Sequence, residues 1–204
     1  DAAARLPEGW DAEAELWRDE TRSVPLGVST GSLFGWIRDW MGIENVTFCV
    51  FDEPAWFEEM VTTLADVQVA NLDRLVERGA KLDAFMFWED MCYNAGPLLS
   101  PEAFKQYLVP QYRRITAYAD RLGVHVVWVD CDGRIDELVP LWLDAGVNTM
   151  FPLEVGSWHA DPVAFRREYG RDLLLMGGFS KRVLAAGPDA IDAEIDRLAP
   201  LVAE

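Results

Sequence analysis

The amino-acid sequence predicts an α/β fold built on a parallel sheet, and three observations support this. From Lys81 onward one unit recurs: a helical stretch, a glycine, a few residues and a short apolar run that ends in polar residues. The apolar runs are continuous, as in strands that are covered on both faces. Two helices are indicated by a capping residue followed by proline, at Ser100-Pro101 and Asp161-Pro162.

The apolar runs predict five strands. They cover residues 24–30, 84–88, 124–129, 148–153 and 172–176. Glycines stand where helices between the strands would end, at Gly79, Gly123, Gly146 and Gly170. Repeated strand and helix units with right-handed crossovers form either a (β/α)8 barrel or an open doubly wound sheet.

The helical segments show one apolar face each. The helix after Ser100 carries its apolar residues at near-3.6 spacing: Phe104, Leu108, Tyr112, Ile115, Ala119 and Leu122. Pro110 lies inside it and should bend it. Residues 58–78 and 191–202 have similar stripes. Residues 42–51 fit a helix or a strand, and the shared face of Ile43, Val46 and Val50 favours a helix. We find no linker, so residues 1–204 are predicted to be one domain.

Composition restricts the function. The net charge of -17 and the pI of about 4.4 argue against binding nucleic acid or an anionic membrane. No segment approaches the roughly 18 apolar residues of a membrane span, and no signal peptide is visible. The sparse cysteines, Cys49, Cys92 and Cys131, favour a reducing compartment, so we expect a cytoplasmic protein. Because the chain opens without Met, we expect a fragment of a longer protein.

Polar residues follow the predicted strands, and ligands of parallel α/β folds bind at the carboxyl ends of strands. In chain order these candidate residues are Ser29 and Thr30, Glu89 and Asp90, Asp130 and Asp132, Glu154, and Gly177 with Gly178. Any single acid here also fits a helix N-cap, which carries no chemistry.

The pair Asp130 and Asp132 is the more informative signal. In a strand the two side chains project to one face and Cys131 to the other, where it would serve packing. Close carboxylates share a proton or bind a cation, with Mg, Mn or Ca favoured and Zn also accepted. Trp128 shares the face of Asp130 and is a candidate floor of the pocket.

Two further candidates follow later strands. Gly177-Gly178, with Lys181 nearby, would let a phosphate approach backbone amides, although close packing explains two glycines equally well. His159 is a candidate proton carrier or ligand, although a solvated loop histidine is the commoner case.

Three segments resemble the uroporphyrinogen decarboxylase superfamily, which includes the corrinoid-dependent methyltransferases. They are FWEDMCYNAGPLLSPEAFKQYLVP, VVWVDCDGRIDELVPLWLDAGVNTMFPLEV and YGRDLLLMGGFSK. The resemblance runs from about Leu26 to the end of the chain. It implies a (β/α)8 barrel, incomplete here with about five strands, and a site at its mouth. The family's first portion would precede Asp1, and its last strand would follow Glu204.

The resemblance also assigns residues. In GVSTGSLFGWIRDWMG, Arg38 stands where the decarboxylases carry a substrate-binding tyrosine. Asp90 stands where they carry a serine that contacts the porphyrinogen. The methyltransferases' zinc-binding His-x-Cys corresponds to Asp130-Cys131-Asp132, so aspartate replaces both ligands. The resemblance thus implies Asp130 and Asp132 as metal ligands and Glu89, Asp90 and Arg38 as catalytic residues.

We therefore favour a methyltransferase-like enzyme that uses a divalent metal (Zn, Mg or Mn) to move a methyl group between a small substrate and a corrinoid protein. One alternative is a cofactor-independent uroporphyrinogen decarboxylase. Its polycarboxylate substrate needs arginines, whereas this rim is acidic apart from Arg38 and Lys181. The other alternative is a non-catalytic tetrapyrrole- or corrinoid-binding barrel. A homodimer is a further expectation.

Overall fold

A five-stranded parallel sheet forms the centre of the computed structural model, which describes residues 9–203. Its strands are β1 (Gly27–Ser29), β2 (Ala84–Trp88), β5 (Val126–Asp130), β6 (Thr149–Leu153) and β7 (Leu174–Gly177). All five predicted strands are confirmed, with their ends displaced by a few residues. A small antiparallel hairpin, β3 (Cys92–Tyr93) and β4 (Gly96–Pro97), follows β2 and was not predicted, because two-residue strands carry no periodic pattern.

The strand order distinguishes between the two candidate architectures. The strands lie side by side in the order β1-β2-β5-β6-β7, which is their order along the chain. A doubly wound sheet reverses its order at a switch point, whereas a barrel does not. Phe85, Phe87 and Val129 are buried on one face, while Trp88 and Trp128 are partly exposed on the other. The fold is therefore an incomplete (β/α)8 barrel, as the resemblance implied.

The helices agree with the predicted apolar stripes. In chain order they are α1 (Trp10–Arg18), α2 (Gly35–Met41), α3 (Ile43–Asp52), α4 (Pro54–Glu77), α5 (Pro101–Ala103), α6 (Val109–Leu122), α7 (Val139–Asp144), α8 (Pro162–Tyr169), α9 (Lys181–Leu184) and α10 (Pro188–Ala203). The ambiguous segment 42–51 is helical, as α3. No helix within residues 9–203 combines the length and the apolarity that a bilayer crossing requires.

Both predicted N-caps are present. The Ser100 hydroxyl accepts a hydrogen bond from the N–H of Ala103 at 3.2 Å, and the Asp161 carboxylate accepts one from the N–H of Val163 at 3.0 Å. Each bond satisfies one of the backbone donors that a helix start leaves free.

The helix after Ser100 is irregular near Pro110. A π-helical segment, Phe104–Leu108, connects α5 to α6, and Pro110 is among the first residues of α6. Proline lacks the N–H that would bond to the preceding turn, and π-helical insertions are a common form of such a defect. Pro110 thus lies at the start of α6 and not in its interior, where its missing N–H is tolerated, and the predicted bend stays a prediction.

The helix-ending glycines provide a test of the packing. Gly123 and Gly146 both adopt a left-handed φ, of 69° and 83°, but a Cβ on Gly146 would lie 2.7 Å from Thr116 Oγ1, whereas a Cβ on Gly123 would meet nothing within 4 Å. We expect Gly123→Ala to lower the free energy of unfolding by about 1 kcal/mol and Gly146→Ala by about 2 to 4 kcal/mol. Urea titration of both variants measures the difference. Equal losses would contradict the close contact with Thr116.

Candidate active site

The carboxyl ends of β2, β5 and β6 meet at one edge of the sheet. Trp88 pairs with Asp130, and Asp130 pairs with Phe151, so the residues that follow these strands are neighbours. Asp132 and Glu154 line two adjoining depressions of about 370 and 290 Å³. We call the two depressions together the cleft.

The predicted alternation in β5 is confirmed. Asp130 is half-buried and Asp132 is exposed, whereas Cys131 is only 1% exposed. The Cys131 thiol points into the protein and accepts a hydrogen bond from the N–H of Met91 at 3.3 Å. Cys131 therefore packs, as predicted, while the two aspartates face the open side of the sheet.

The carboxylates that line the cleft, Asp90, Asp132 and Glu154, repel one another and Asp130, which lies beside the cleft. Burial raises the pKa of Asp130, and the charges of Asp90 and Asp132 raise it further. Burial also raises the pKa of Asp132, with additional contributions from Glu154 and Asp90 that Lys181 partly offsets. This concentration of negative charge favours a proton or a cation in the cleft over an anion.

Local hydrogen bonds orient these acids. Glu154 Oε2 accepts bonds from the N–H of Gly133 at 2.8 Å and from the Ser157 hydroxyl at 2.9 Å. Asp90 adopts a left-handed φ of 49°, and its Oδ1 accepts a bond from the N–H of Asp132 at 3.2 Å. The loops after β2, β5 and β6 are thus tied together through the side chains that line the cleft.

The structure does not support a catalytic role for Glu89. The side chain is completely buried and does not line the cleft. Its carboxylate accepts five hydrogen bonds of 2.6 to 3.0 Å, from the hydroxyls of Ser32 and Tyr112 and from the backbone N–H groups of Leu33, Phe34 and Gly35. Glu89 therefore holds the loop between β1 and α2 against β2 and α6.

Strand alternation could have located Glu89 from the sequence. Phe85, Phe87 and Glu89 lie two residues apart, so they point to the helix-covered face of β2. Asp90 falls on the opposite face, towards the cleft. Tyr112, which the sequence placed only in an apolar helix stripe, is the unpredicted partner of this carboxylate.

Arg38 lines the cleft but is bound by its own chain. Its guanidinium lies 5.4 Å from the centroid of the Trp88 ring and donates a hydrogen bond to the backbone carbonyl of Asp90. It also pairs with Asp39 at 3.0 Å. These contacts position the loop after β2, and the catalytic role of Arg38 stays a prediction.

The residues after β1 have different environments. Thr30 is 1% exposed, and its hydroxyl donates to the carbonyl of Met86 at 2.9 Å, so it fastens β1 to β2 and is not available to a substrate. Ser29 is exposed and stays a candidate contact. Its Cα pairs with that of Met86 on the face opposite the helices.

The structure separates His159 from the cleft. His159 is exposed and lines a different depression, together with Trp158 and Tyr169. Its predicted role as a ligand or proton carrier for the carboxylates is therefore not supported. Trp128, by contrast, is half-buried on the face of Asp130 and contacts the edge of Phe151, with ring centroids 5.1 Å apart.

The glycine pair after β7 serves close packing. Gly177 and Gly178 have φ values of 98° and 78°, and a Cβ on Gly178 would lie 2.8 Å from Pro162 Cγ. The packing alternative for these glycines is supported, although both still line the cleft beside Lys181. The hairpin adds cleft residues that the sequence did not indicate, namely Cys92, Tyr93 and Asn94.

The metal prediction gains no support from the donor geometry. Among the described residues no group of three or more His, Cys, Asp or Glu side chains could hold a metal ion. Asp90 and Glu154 already accept hydrogen bonds from the chain, and Asp130 and Asp132 alone make an incomplete ligand set. Metal binding at Asp130 and Asp132 therefore stays a prediction.

The buried carboxylate of Glu89 gives a matched pair of variants. Tyr112→Phe removes a 2.6 Å bond to it, whereas Tyr118→Phe removes a 2.6 Å bond to the exposed carboxylate of Asp73. We expect losses in unfolding free energy of about 1.5 to 3 kcal/mol for the first and less than about 1 kcal/mol for the second. Water can take the place of the lost hydroxyl at the exposed carboxylate of Asp73 but not at the buried carboxylate of Glu89. Chemical denaturation provides the measurement. A similar loss in both variants would contradict the anchoring role of Glu89.

Asp130 gives a prediction of opposite sign to that of an ion-paired aspartate. Its raised pKa means that the folded chain binds a proton more tightly than the unfolded chain. The stabilisation that the folded chain gains from this tighter proton binding is present below the unfolded pKa and is lost as the pH rises through the folded pKa. Asp130→Asn should therefore raise the thermal midpoint at about pH 7, and the gain should shrink towards about pH 4.

Asp83 serves as the control for Asp130. A hydrogen bond from the N–H of Leu26 and the neighbouring Arg22 lower the pKa of Asp83. The charged Asp83 carboxylate stabilises the folded chain above the unfolded pKa, and this stabilisation is lost as the pH falls through the folded pKa. Asp83→Asn should therefore lower the thermal midpoint at about pH 7. Thermal melts at several pH values measure both variants. A lower midpoint for Asp130→Asn would contradict repulsion within the cleft.

Comparison with known proteins agrees with this architecture. The family model of uroporphyrinogen decarboxylase (URO-D) matches residues 3–200. Two curated proteins described as uroporphyrinogen decarboxylase, from Shewanella piezotolerans (strain WP3 / JCM 13877) and Shewanella frigidimarina (strain NCIMB 400), are each 26% identical over 160 residues. The match covers 76% of this chain but only 42% of each relative, so the chain spans less than half of their length.

A solved structure supports the fold independently. The methyltransferase from Methanosarcina mazei has a TM-score of 0.67 to this chain at 16% sequence identity. The superposition covers 96% of this chain and 58% of that one. The family match extends over almost all of the residues, and the sheet has the strand order of a barrel. The chain therefore belongs to the uroporphyrinogen decarboxylase (URO-D) family.

Proposed function

We propose that this protein is an enzyme of the URO-D superfamily that moves a methyl group between a small substrate and a corrinoid protein. The observation that carries the proposal is the charge of the cleft. Asp90, Asp132 and Glu154 line it, and Asp130 lies beside it, within reach of the charges of Asp90 and Asp132. Lys181 and Arg182 also line the cleft, while Arg38 is bound to its own loop. A cleft of this size and sign suits a small neutral or cationic molecule.

The carboxyl groups of the cleft can perform the proton transfer that methyl transfer requires. When the bond between a methyl carbon and a substrate oxygen or nitrogen breaks, the heteroatom keeps the electron pair and needs a proton. The raised pKa of Asp130, which is half-buried at the end of β5, increases the fraction of this carboxyl that is protonated. The protonated fraction would donate that proton while the methyl carbon bonds to its acceptor. The neighbouring negative charges help to keep a proton on the pair until it is needed.

Remaining contacts would orient the substrate. Trp128 and Phe151 provide an apolar wall on the face of Asp130, and Ser29 lies on the same face of the sheet at β1. Exclusion of water by such a wall would strengthen the electrostatic interactions of Asp130 beside the cleft. The fold of the methyltransferase from Methanosarcina mazei shows that a barrel of this type carries methyl transfer in another protein.

The cofactors enter this proposal in different ways. A corrinoid on a partner protein would supply the methyl acceptor or donor. The divalent metal predicted at Asp130 and Asp132 stays a prediction, because no third His, Cys, Asp or Glu ligand is grouped with them among the described residues. The proton transfer described above therefore involves only side chains of this chain.

The second candidate function is decarboxylation of uroporphyrinogen, which the names of the curated relatives favour. Its substrate is a polycarboxylate, and every uncompensated contact between two negative charges in a partly buried site costs on the order of 1 kcal/mol or more. The cleft is lined by the carboxylates of Asp90, Asp132 and Glu154, and Asp130 lies beside them. Against them stand Lys181, Arg182 and the Arg38 guanidinium, which is already bound. This balance favours the methyltransferase.

The test compares the two reactions in one preparation. The purified protein is incubated with cob(I)alamin and a panel of methylated alcohols, amines and aromatic ethers, and methylcobalamin is followed by its absorption. We expect turnover of at least one compound, and a loss of about 100-fold or more in Asp130→Asn, because general acid catalysis contributes that much. The remote variant Asp83→Asn should retain the activity of the parent within about twofold.

Two outcomes would contradict the proposal. Release of CO₂ from uroporphyrinogen without methyl transfer would identify a decarboxylase. Binding of a tetrapyrrole without either reaction would identify a non-catalytic barrel. Stoichiometric metal in protein purified without chelator, lost in Asp130→Ala/Asp132→Ala, would support the predicted metal at this pair and would replace the proton donor by a metal ion within the same methyl transfer.

A further inference from the structure

Large aromatic side chains are exposed on the segment between β1 and β2. Trp40 at the end of α2, Phe48 and Phe51 on α3 and Trp56 at the start of α4 are between 51% and 76% exposed. We call these four residues the α3 face. Helix α2 follows the carboxyl end of β1 and carries Arg38 towards the cleft, so the α3 face lies at the end of the barrel that bears the cleft.

Folding does not require these aromatic residues. The same helices are anchored in the core by other side chains, namely Ile37, Val46, Cys49, Val50 and Phe57, all of them buried. Phe48 and Phe51 are one helical turn apart and point to the same side of α3. Several large aromatic side chains that are exposed together mark an interaction surface more often than a random part of the surface.

A small apolar cavity borders the α3 face. It has a volume of about 60 Å³ and is lined by Phe34, Val50, Phe51, Leu98 and Leu99. This space would accept the end of one apolar side chain from outside, with Phe51 covering it. Apolar side chains inserted into such pockets contribute much of the energy of protein interfaces.

The charge around the α3 face selects the partner. Six exposed carboxylates occur between residues 39 and 59, at Asp39, Glu44, Asp52, Glu53, Glu58 and Glu59. Arg38 is the only basic residue between 35 and 60, and it is paired with Asp39 and turned towards the Asp90 carbonyl. The surface is therefore aromatic at its centre and negative at its rim.

This combination disfavours two occupants. A second copy of the chain would place the same carboxylates opposite one another, because a twofold contact uses one surface on both subunits. An anionic membrane surface would repel them. A positively charged protein segment has the complementary charge, and its Lys or Arg side chains can also stack on Trp40 and Trp56.

We propose that the α3 face docks a basic amphipathic helix of a partner protein. One apolar side chain of that helix would enter the cavity beside Phe51, and its basic residues would pair with the surrounding carboxylates. This proposal does not depend on the reaction in the cleft.

The test uses a fluorescein-labelled amphipathic peptide of leucine and lysine as the probe, and a peptide with glutamate in place of lysine for comparison. Fluorescence anisotropy measures binding to the 204-residue chain. We expect Phe48→Ser/Phe51→Ser to weaken binding of the lysine peptide by about tenfold or more. The control Leu184→Ser/Ile195→Ser removes two exposed apolar side chains elsewhere and should change binding by less than about twofold. The glutamate peptide should not bind.

The exposed positions keep the test interpretable. All four substituted side chains are more than half exposed, so thermal melts of the two double variants should match that of the parent. Equal binding by all three proteins would show that net charge alone attracts the peptide and would overturn the proposal. Absence of binding by the lysine peptide would also overturn the proposal. A dimer in sedimentation that Phe48→Ser/Phe51→Ser abolishes would identify the α3 face as a contact between two copies instead.

Discussion

The buried carboxylate of Glu89 holds together the end of the barrel that carries the cleft. It joins three elements that are distant in sequence, because its hydrogen-bond donors come from the loop before α2 and from α6, while Glu89 itself follows β2. A charge in the interior is tolerated only when its oxygens are fully bonded, so the geometry of this junction is narrowly defined. Helix α2, with Arg38 on one side and Trp40 on the other, takes its position from this bond network.

The cleft depends on that arrangement. With α2 fixed, Arg38 donates to the carbonyl of Asp90 and lies over Trp88, which sets the loop after β2. Asp90 in turn accepts the N–H of Asp132, and Glu154 accepts that of Gly133. The carboxylates of Asp90 and Glu154 therefore also connect neighbouring loops. The negative charge is held close together by the backbone, and burial keeps it poorly screened.

Acidity at the mouth of the barrel is the basis for proposing methyl transfer over decarboxylation of a porphyrinogen. Members of one family can share a barrel and differ in reaction, because the chemistry lies in the residues at the strand ends and not in the fold. Here Asp130 and Asp132 occupy positions where the resemblance places metal ligands, and the Arg38 guanidinium is bound to the loop after β2. The family match thus identifies the fold of the chain, and the charge of the cleft is the basis for the proposed reaction.

Local sequence patterns determined the strands, the capped helices and the facing of Asp130, Cys131 and Asp132, because strand alternation and caps depend only on neighbouring residues. The same alternation would have placed Glu89 away from the cleft had it been applied to β2. Other outcomes depended on residues far apart in the chain. Tyr112 bonds to Glu89 across 23 positions, and His159 lines a separate depression although it follows Glu154 closely. Only the tertiary structure decided these, because a side chain's partners are set by the packing of whole elements, which no local pattern encodes.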